Sequence, residues 1–122
     1  MKKVWIFLGI GILIAGAGWL VFWMKTPGKY DNLAKCLKDK GAVFYGAFWC
    51  PHCQNQKKMF GKSSMYLPYI ECSTPDGKAQ TAICKEKGIE SYPTWVFSGG
   101  ERVSGEVALS TLAEKTSCTL PQ

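Results

Sequence analysis

Residues Ala42 to Phe60 constrain this chain more than any other stretch. The apolar run Ala42 to Trp49 reads as a buried strand, and Gln54 to Phe60 reads as a helix stopped by Gly61. Between them lies Cys50-Pro51-His52-Cys53, two thiols separated by two residues. A cysteine at the start of a helix sits beside unpaired backbone N–H groups and the positive end of the helix dipole. Both favour the thiolate, which is the species that attacks a disulfide. Pro51 suits the first helical position, where its missing N–H costs nothing. Cys53, one turn along, is close enough to attack a mixed disulfide formed at Cys50 and release the partner. The junction therefore predicts thiol–disulfide chemistry.

The 122 residues leave room for one domain, since the first 25 read as something else. Val4 to Met24 carries no charge and is flanked by Lys2, Lys3 and Lys25. As a helix it is long enough to cross a hydrocarbon core of ~30 Å. Trp5 near one end, and Trp19 and Trp23 near the other, suit interfacial belts. A cleaved signal peptide ending near Ala15-Gly16-Ala17 is the competing reading. Against it, Trp19 to Trp23 continues the apolar run past that site. The expected organisation is a membrane anchor over residues 1–25, a linker over 26–29 and a domain over 30–122. Six cysteines are dense for a portion this small, and disulfides persist in oxidising compartments. That favours a domain on the extracytoplasmic side, periplasmic or lumenal. The formal charge of +6 is modest once the lysines flanking the apolar run are set aside, and no nucleic-acid motif is present.

Along the domain, Tyr30 to Lys40 reads as a helix ending at Gly41, and Leu67 to Cys72 as a strand. Thr74-Pro75-Asp76-Gly77 reads as a turn and Lys78 to Lys87 as a helix ended by Gly88. Trp95 to Phe97 and Arg102 to Ser104 read as a hairpin closed by Gly99-Gly100. A last helix spans Ser110 to Ser117, with Thr111 and Glu114 at capping-box spacing. Helices between strands imply crossovers, and the late hairpin adds an antiparallel edge. The fold class is α/β, a mixed central sheet covered by helices on both faces.

Cys72 and Cys84 are 12 positions apart, and a disulfide closing that loop could stabilise the domain by ~3 kcal/mol on chain-entropy grounds. Cys36 and Cys118 could bridge the two ends of the domain, stay free, or relay electrons. Zinc is disfavoured, because Cys72 and Cys84 do not form the second closely spaced pair that a four-sulfur site needs. Haem attachment is excluded, since Gln54 rather than histidine follows Cys53. No metal and no cofactor beyond the Cys50–Cys53 disulfide are expected.

The strand, Trp49-Cys50-Pro51-His52-Cys53, the helix, Gly88-Ile89 before Pro93-Thr94 and the late hairpin together resemble the thioredoxin fold over roughly residues 30 to 118. More closely, Tyr45 to Gln54, Glu71-Cys72 and Ser91 to Trp95 resemble the thioredoxin-like domain attached to bacterial and plant homologues of vitamin K epoxide reductase. The resemblance implies that Cys50 attacks, Cys53 resolves and Pro93 is a cis-proline facing them. Tyr92, through its backbone, and Thr94 would then meet an extended client, beside an apolar surface of Phe48, Trp49 and Trp95. Plain core is the other reading of these three aromatics, least so for Trp49. Reductive thioredoxins carry a buried carboxylate six residues before the first cysteine; here that position is Phe44. Pro51-His52 matches the strongly oxidising disulfide donors, with the His52 imidazole favouring the Cys50 thiolate. An inert exposed histidine is the alternative.

The resemblance further implies a thiol oxidant outside the cytoplasm, re-oxidised by a quinone-reducing membrane enzyme. A single apolar helix stands here where that enzyme would be, so the partner is expected to be a separate protein. The expected activity is a protein thiol–disulfide oxidoreductase donating its disulfide to cysteine-containing clients. A reductase feeding electrons to extracytoplasmic clients such as cytochrome assembly factors, and a tethered chaperone-like module, are the rivals.

Overall fold

The protein, as a computed structural model, is described over residues 1–122. Strands β1 (Val43–Gly46), β2 (Tyr69–Glu71), β3 (Thr94–Val96) and β4 (Arg102–Ser104) form one sheet in the order β2-β1-β3-β4. Side chains alternate across a strand, so Phe44 and Trp95 enter one face while Val43, Tyr45 and Val96 enter the other. The first face holds the main core. Leu33, Ala34 and Leu37 of α2 (Asp31–Asp39), Phe60 of α3 (Pro51–Phe60) and Leu112 of α5 (Leu109–Thr116) pack there against Phe44 and Trp95. Phe44 and Trp95 are cross-strand partners whose rings stack at 4.9 Å. The second face is covered by α4 (Ala82–Glu86), with Ile89 and the Cys72–Cys84 disulfide against Tyr45.

The sheet is mixed and its helices lie on both faces, but the strand directions differ from those the crossovers implied. Only β1 and β2 run parallel; β3 is antiparallel to β1 as well as to β4. The predicted elements are also longer than the real ones. Strand β1 stops at Gly46 because Ala47 begins the turn that receives the Cys50 N–H. The helix expected from Lys78 begins only at Ala82, because Thr74 and Asp76 hold the preceding residues in a turn. Thr74 Oγ1 donates to Asp76 Oδ1 at 2.6 Å and accepts from the Ala79 N–H at 3.1 Å. The Thr74 hydroxyl and the Lys78 N–H, which both donate to it, hold the exposed Asp76 carboxyl below the usual carboxylate range. Gly61 (φ +54°) ends α3 as expected, yet residues Gly61–Tyr66 continue as an unanticipated 3-10 segment. Helix α5 starts after Ala108 with no side-chain cap, so Thr111 and Glu114 form no capping box.

A second disulfide joins Cys36 of α2 to Cys118 just past α5. Its sequence separation of 82 makes it worth ~4.5 kcal/mol on chain-entropy grounds.

Helix α1 (Lys2–Lys25) has no buried residue, and with a mean hydropathy of 2.3 it is long and apolar enough to cross a membrane. Its C-terminal carbonyls are met by the Lys62 ammonium, which donates to Trp23 O, to Thr26 O and to Thr26 Oγ1 (2.8 Å). A cation near a helix C-terminus complements the dipole there. At Gly28 the backbone passes so close that a Cβ would lie 2.3 Å from Ser63 Oγ. The chain between α1 and α2 is therefore pressed against the domain.

Candidate functional site

Cys50 is the N-cap residue of α3 and Pro51 its first residue. The turn before it is tied down on all sides. The Cys50 N–H donates to Ala47 O, Gln54 Nε2 to Phe48 O at 2.9 Å, and the Phe48 N–H to Glu71 Oε1 at 3.2 Å. This lifts the Phe48 and Trp49 side chains onto the surface, each 49 % exposed. The Trp49 indole is held by Ser73 Oγ at 2.9 Å and lies edge-on to Tyr92 at 5.9 Å.

The loop before β3 faces this helix end. The Tyr92–Pro93 peptide bond is cis, and the Cys50 thiol donates to Tyr92 O at 3.6 Å. Cys50 is only 5 % exposed, less open than a thiol on an exposed helix start would be. Tyr92 is half-buried and its hydroxyl accepts from Gln80 Nε2 at 2.8 Å. Thr94 is buried; its hydroxyl donates to Ser91 O at 2.8 Å, so its side chain closes the loop instead of reaching the surface. Trp95 is fully buried, and it belongs to the core rather than to a client surface.

His52 is hydrogen-bonded to Glu106, with Nδ1 donating to Oε2 at 2.7 Å. Nothing near Glu106 in sequence points to the helix that carries His52, and reading the sequence missed it. The loop holding Glu106 is fixed from below by Gln56, a fully buried residue of α3. Gln56 Oε1 accepts from the Val107 N–H (2.7 Å) and Trp95 Nε1 (3.3 Å), and its Nε2 donates to Val107 O (3.0 Å).

Cys53 lies behind Cys50 and is 1 % exposed. Burial pushes its thiol up to about 12; a hydrogen bond from the Ala47 backbone and the charge of Lys57 oppose that shift. The thiol form is thus the one the fold holds. Because the folded value lies above the ordinary one near 9.0, Cys53 contributes stability below pH 9.0 that is lost as pH rises towards about 12. The reduced protein is expected to lose melting temperature over that window relative to a form with a Cys50–Cys53 disulfide, which has no thiol to ionise. Burial also pushes Tyr69 up, in both forms. Equal alkaline losses in thermal melts of the two forms would refute the assignment.

Cys50 and Cys53 are the two unpaired cysteines, the other four being bonded as Cys36–Cys118 and Cys72–Cys84. No three His, Cys, Asp or Glu side chains converge as a metal site would require. The surface clefts are lined by residues within 24–43 and 62–70, and none includes Cys50. Chemically, the arrangement pairs a thiol at a helix N-terminus with a buried second thiol one turn away. That is what thiol–disulfide exchange needs.

Comparison with known proteins agrees with this geometry. Over 95 residues the chain is 47 % identical to the thiol-disulfide oxidoreductase LTO1 of Arabidopsis thaliana, an alignment covering 74 % of this chain and 25 % of that protein. Over 79 residues it is 25 % identical to protein disulfide-isomerase erp38 of Neurospora crassa, covering 62 % of this chain and 21 % of that one. It spans about a quarter or less of the length of these curated relatives. The family model described as Thioredoxin matches residues 22–117, which take in the sheet, the Cys50–Cys53 turn and the cis-proline loop. The chain belongs to the thioredoxin family.

Proposed function

We propose that this chain is a protein thiol–disulfide oxidoreductase that donates a Cys50–Cys53 disulfide to cysteine-containing clients. The observation that carries the reading is the unpaired Cys50 thiol at the N-terminus of α3, 3.6 Å from Tyr92 O, with Cys53 buried behind it. A client thiolate attacks Cys50 Sγ and the Cys50–Cys53 bond breaks, leaving the electron pair on Cys53. The client's second thiolate then attacks its own sulfur in the mixed disulfide, and Cys50 departs as a thiolate. Two electrons move from client to protein. The redox group is the cysteine pair itself. Phe48 and Trp49 offer the client an apolar surface, and the backbone at Tyr92 offers it a hydrogen-bonding edge.

Direction and address belong to the same proposal. Pro51-His52 and the uncharged Phe44 support a donor, since stabilising the reduced form makes a disulfide more oxidising. Helix α1 serves as the anchor, and the two bonded cysteine pairs support a domain on the extracytoplasmic side. Re-oxidation falls to a quinone-reducing membrane enzyme of the vitamin K epoxide reductase type. The test is the reduction potential of the Cys50–Cys53 pair, by equilibration of the full chain against glutathione buffers. A value between about −120 and −200 mV is expected, and His52→Pro should lower it; a value near −270 mV would reverse the electron flow and make the chain a reductase.

A further inference from the structure

When a client thiolate opens the Cys50–Cys53 disulfide, the electron pair lands on a sulfur the fold holds as a thiol, so a proton must reach Cys53. The surroundings of Cys53 hold a candidate source. A Cβ at Gly46 would lie 3.0 Å from Cys53 Sγ and 2.8 Å from Tyr69 Cε2, so the sulfur and the Tyr69 ring flank one point. Lys57 is four residues after Cys53 on α3, and residues at that spacing share a helix face. Its ammonium lies 3.5 Å from the centroid of the Tyr69 ring. Tyr69 is fixed in turn, its hydroxyl donating to Glu71 Oε2 at 2.8 Å. Glu71 Oε1 accepts the N–H groups of Phe48 and Ser73. Glu71 thus seats Tyr69, and the Tyr69 ring seats Lys57. All three are half-buried and reach water, which Cys53 does not.

We propose that Lys57 gives Cys53 its proton when the disulfide opens, with Tyr69 and Glu71 as positioning residues. This rests on the oxidoreductase reading above. The other titratable groups around Cys53 are less suited. Tyr69 is raised well above its ordinary range by burial and already donates to Glu71, while Glu71 acts only as an acceptor. His52 is turned to Glu106, and Cys50 is the sulfur under attack. Lys57 is left as the titratable side chain that shares a helix face with Cys53 and reaches water. In the forward step the Cys50–Cys53 bond breaks, Cys53 leaves with the electron pair, and the Lys57 ammonium passes one proton to it. The neutral amine left behind recovers its proton from water.

The experiment follows oxidation of a two-cysteine peptide by the disulfide form of the full chain in detergent micelles, at pH 7 by stopped-flow tryptophan fluorescence. Lys57→Met removes the ammonium and keeps the stem; Lys57→Arg keeps the charge over Tyr69 but cannot give up a proton. Both variants are expected to be slowed at least roughly 10-fold, short of the ~10²–10⁴ of full general acid–base catalysis because water substitutes in part. The natural chain is expected to be slowed in heavy water, and both variants should lose that slowing. A Lys57→Arg chain as fast as the natural one would mean that charge alone matters and would overturn the proposal. An unslowed Lys57→Met chain would do the same. If Lys57→Met does not fold, Lys57→Arg decides alone. A natural chain unable to oxidise the peptide would instead refute the oxidoreductase reading itself.

Discussion

Cys50→Ser is expected to reduce disulfide transfer to background, with the melting temperature little changed. The residue is 5 % exposed and its side chain makes a single weak hydrogen bond, to Tyr92 O at 3.6 Å, so a hydroxyl fits the same space. What it cannot do is share a covalent bond with Cys53 or with a client. Cys53→Ser has the opposite signature. Cys50 still attacks a disulfide-activated client peptide and expels its other half as a thiolate, but no buried thiol is left to break the resulting mixed disulfide, so covalent adducts accumulate. The check is a non-reducing gel of both variants after exposure to thiol-reactive client peptides. Transfer persisting in Cys50→Ser, or an absence of adducts in Cys53→Ser, would sink the assignment of the two roles.

Gln56→Leu is expected to cost about 4 kcal/mol. Leucine matches the volume of glutamine closely, so little is lost in packing. What is lost is the partner of three groups at once: the Val107 N–H, the Val107 carbonyl and the Trp95 indole N–H. Each buried polar group left unpaired costs ~1–3 kcal/mol. For a domain of this size the shift in melting temperature should reach about 15 °C or more. A shift of a few degrees would mean that water replaces the amide. The loop Gln56 pins also carries Glu106, so the same variant should loosen the His52–Glu106 pair.

The site and the fold were legible in the sequence to different depths. The apolar run, the Cys-x-x-Cys turn and the helix after it are local, and local patterning decided them. So did the glycines: Gly41, Gly61 and Gly88 end their helices with positive φ, a conformation open to glycine at no steric cost. The pairing of Cys72 with Cys84 was within reach because the two are 12 residues apart. The cis bond at Pro93 came only through resemblance, because nothing in a Tyr-Pro dipeptide requires it.

Other features had no local signal. Trp95 could as well have faced clients as the core until the antiparallel pairing of β3 with β1 set it on Phe44. Gln56 reads as one more polar residue of a surface helix, yet it is fully buried. Glu106 lies 54 residues from His52, and Cys118 lies 82 from Cys36. Tyr69 and Glu71 come from a different strand than the cysteine helix. By itself the sequence marked the Cys-x-x-Cys turn and the elements that hold it, because periodicity, turn residues and helix ends act over a few positions. Only the tertiary structure decided which polar groups stand around those thiols. Their meeting depends on strand direction and register, and these are settled by the packing of the whole sheet rather than by any segment of it.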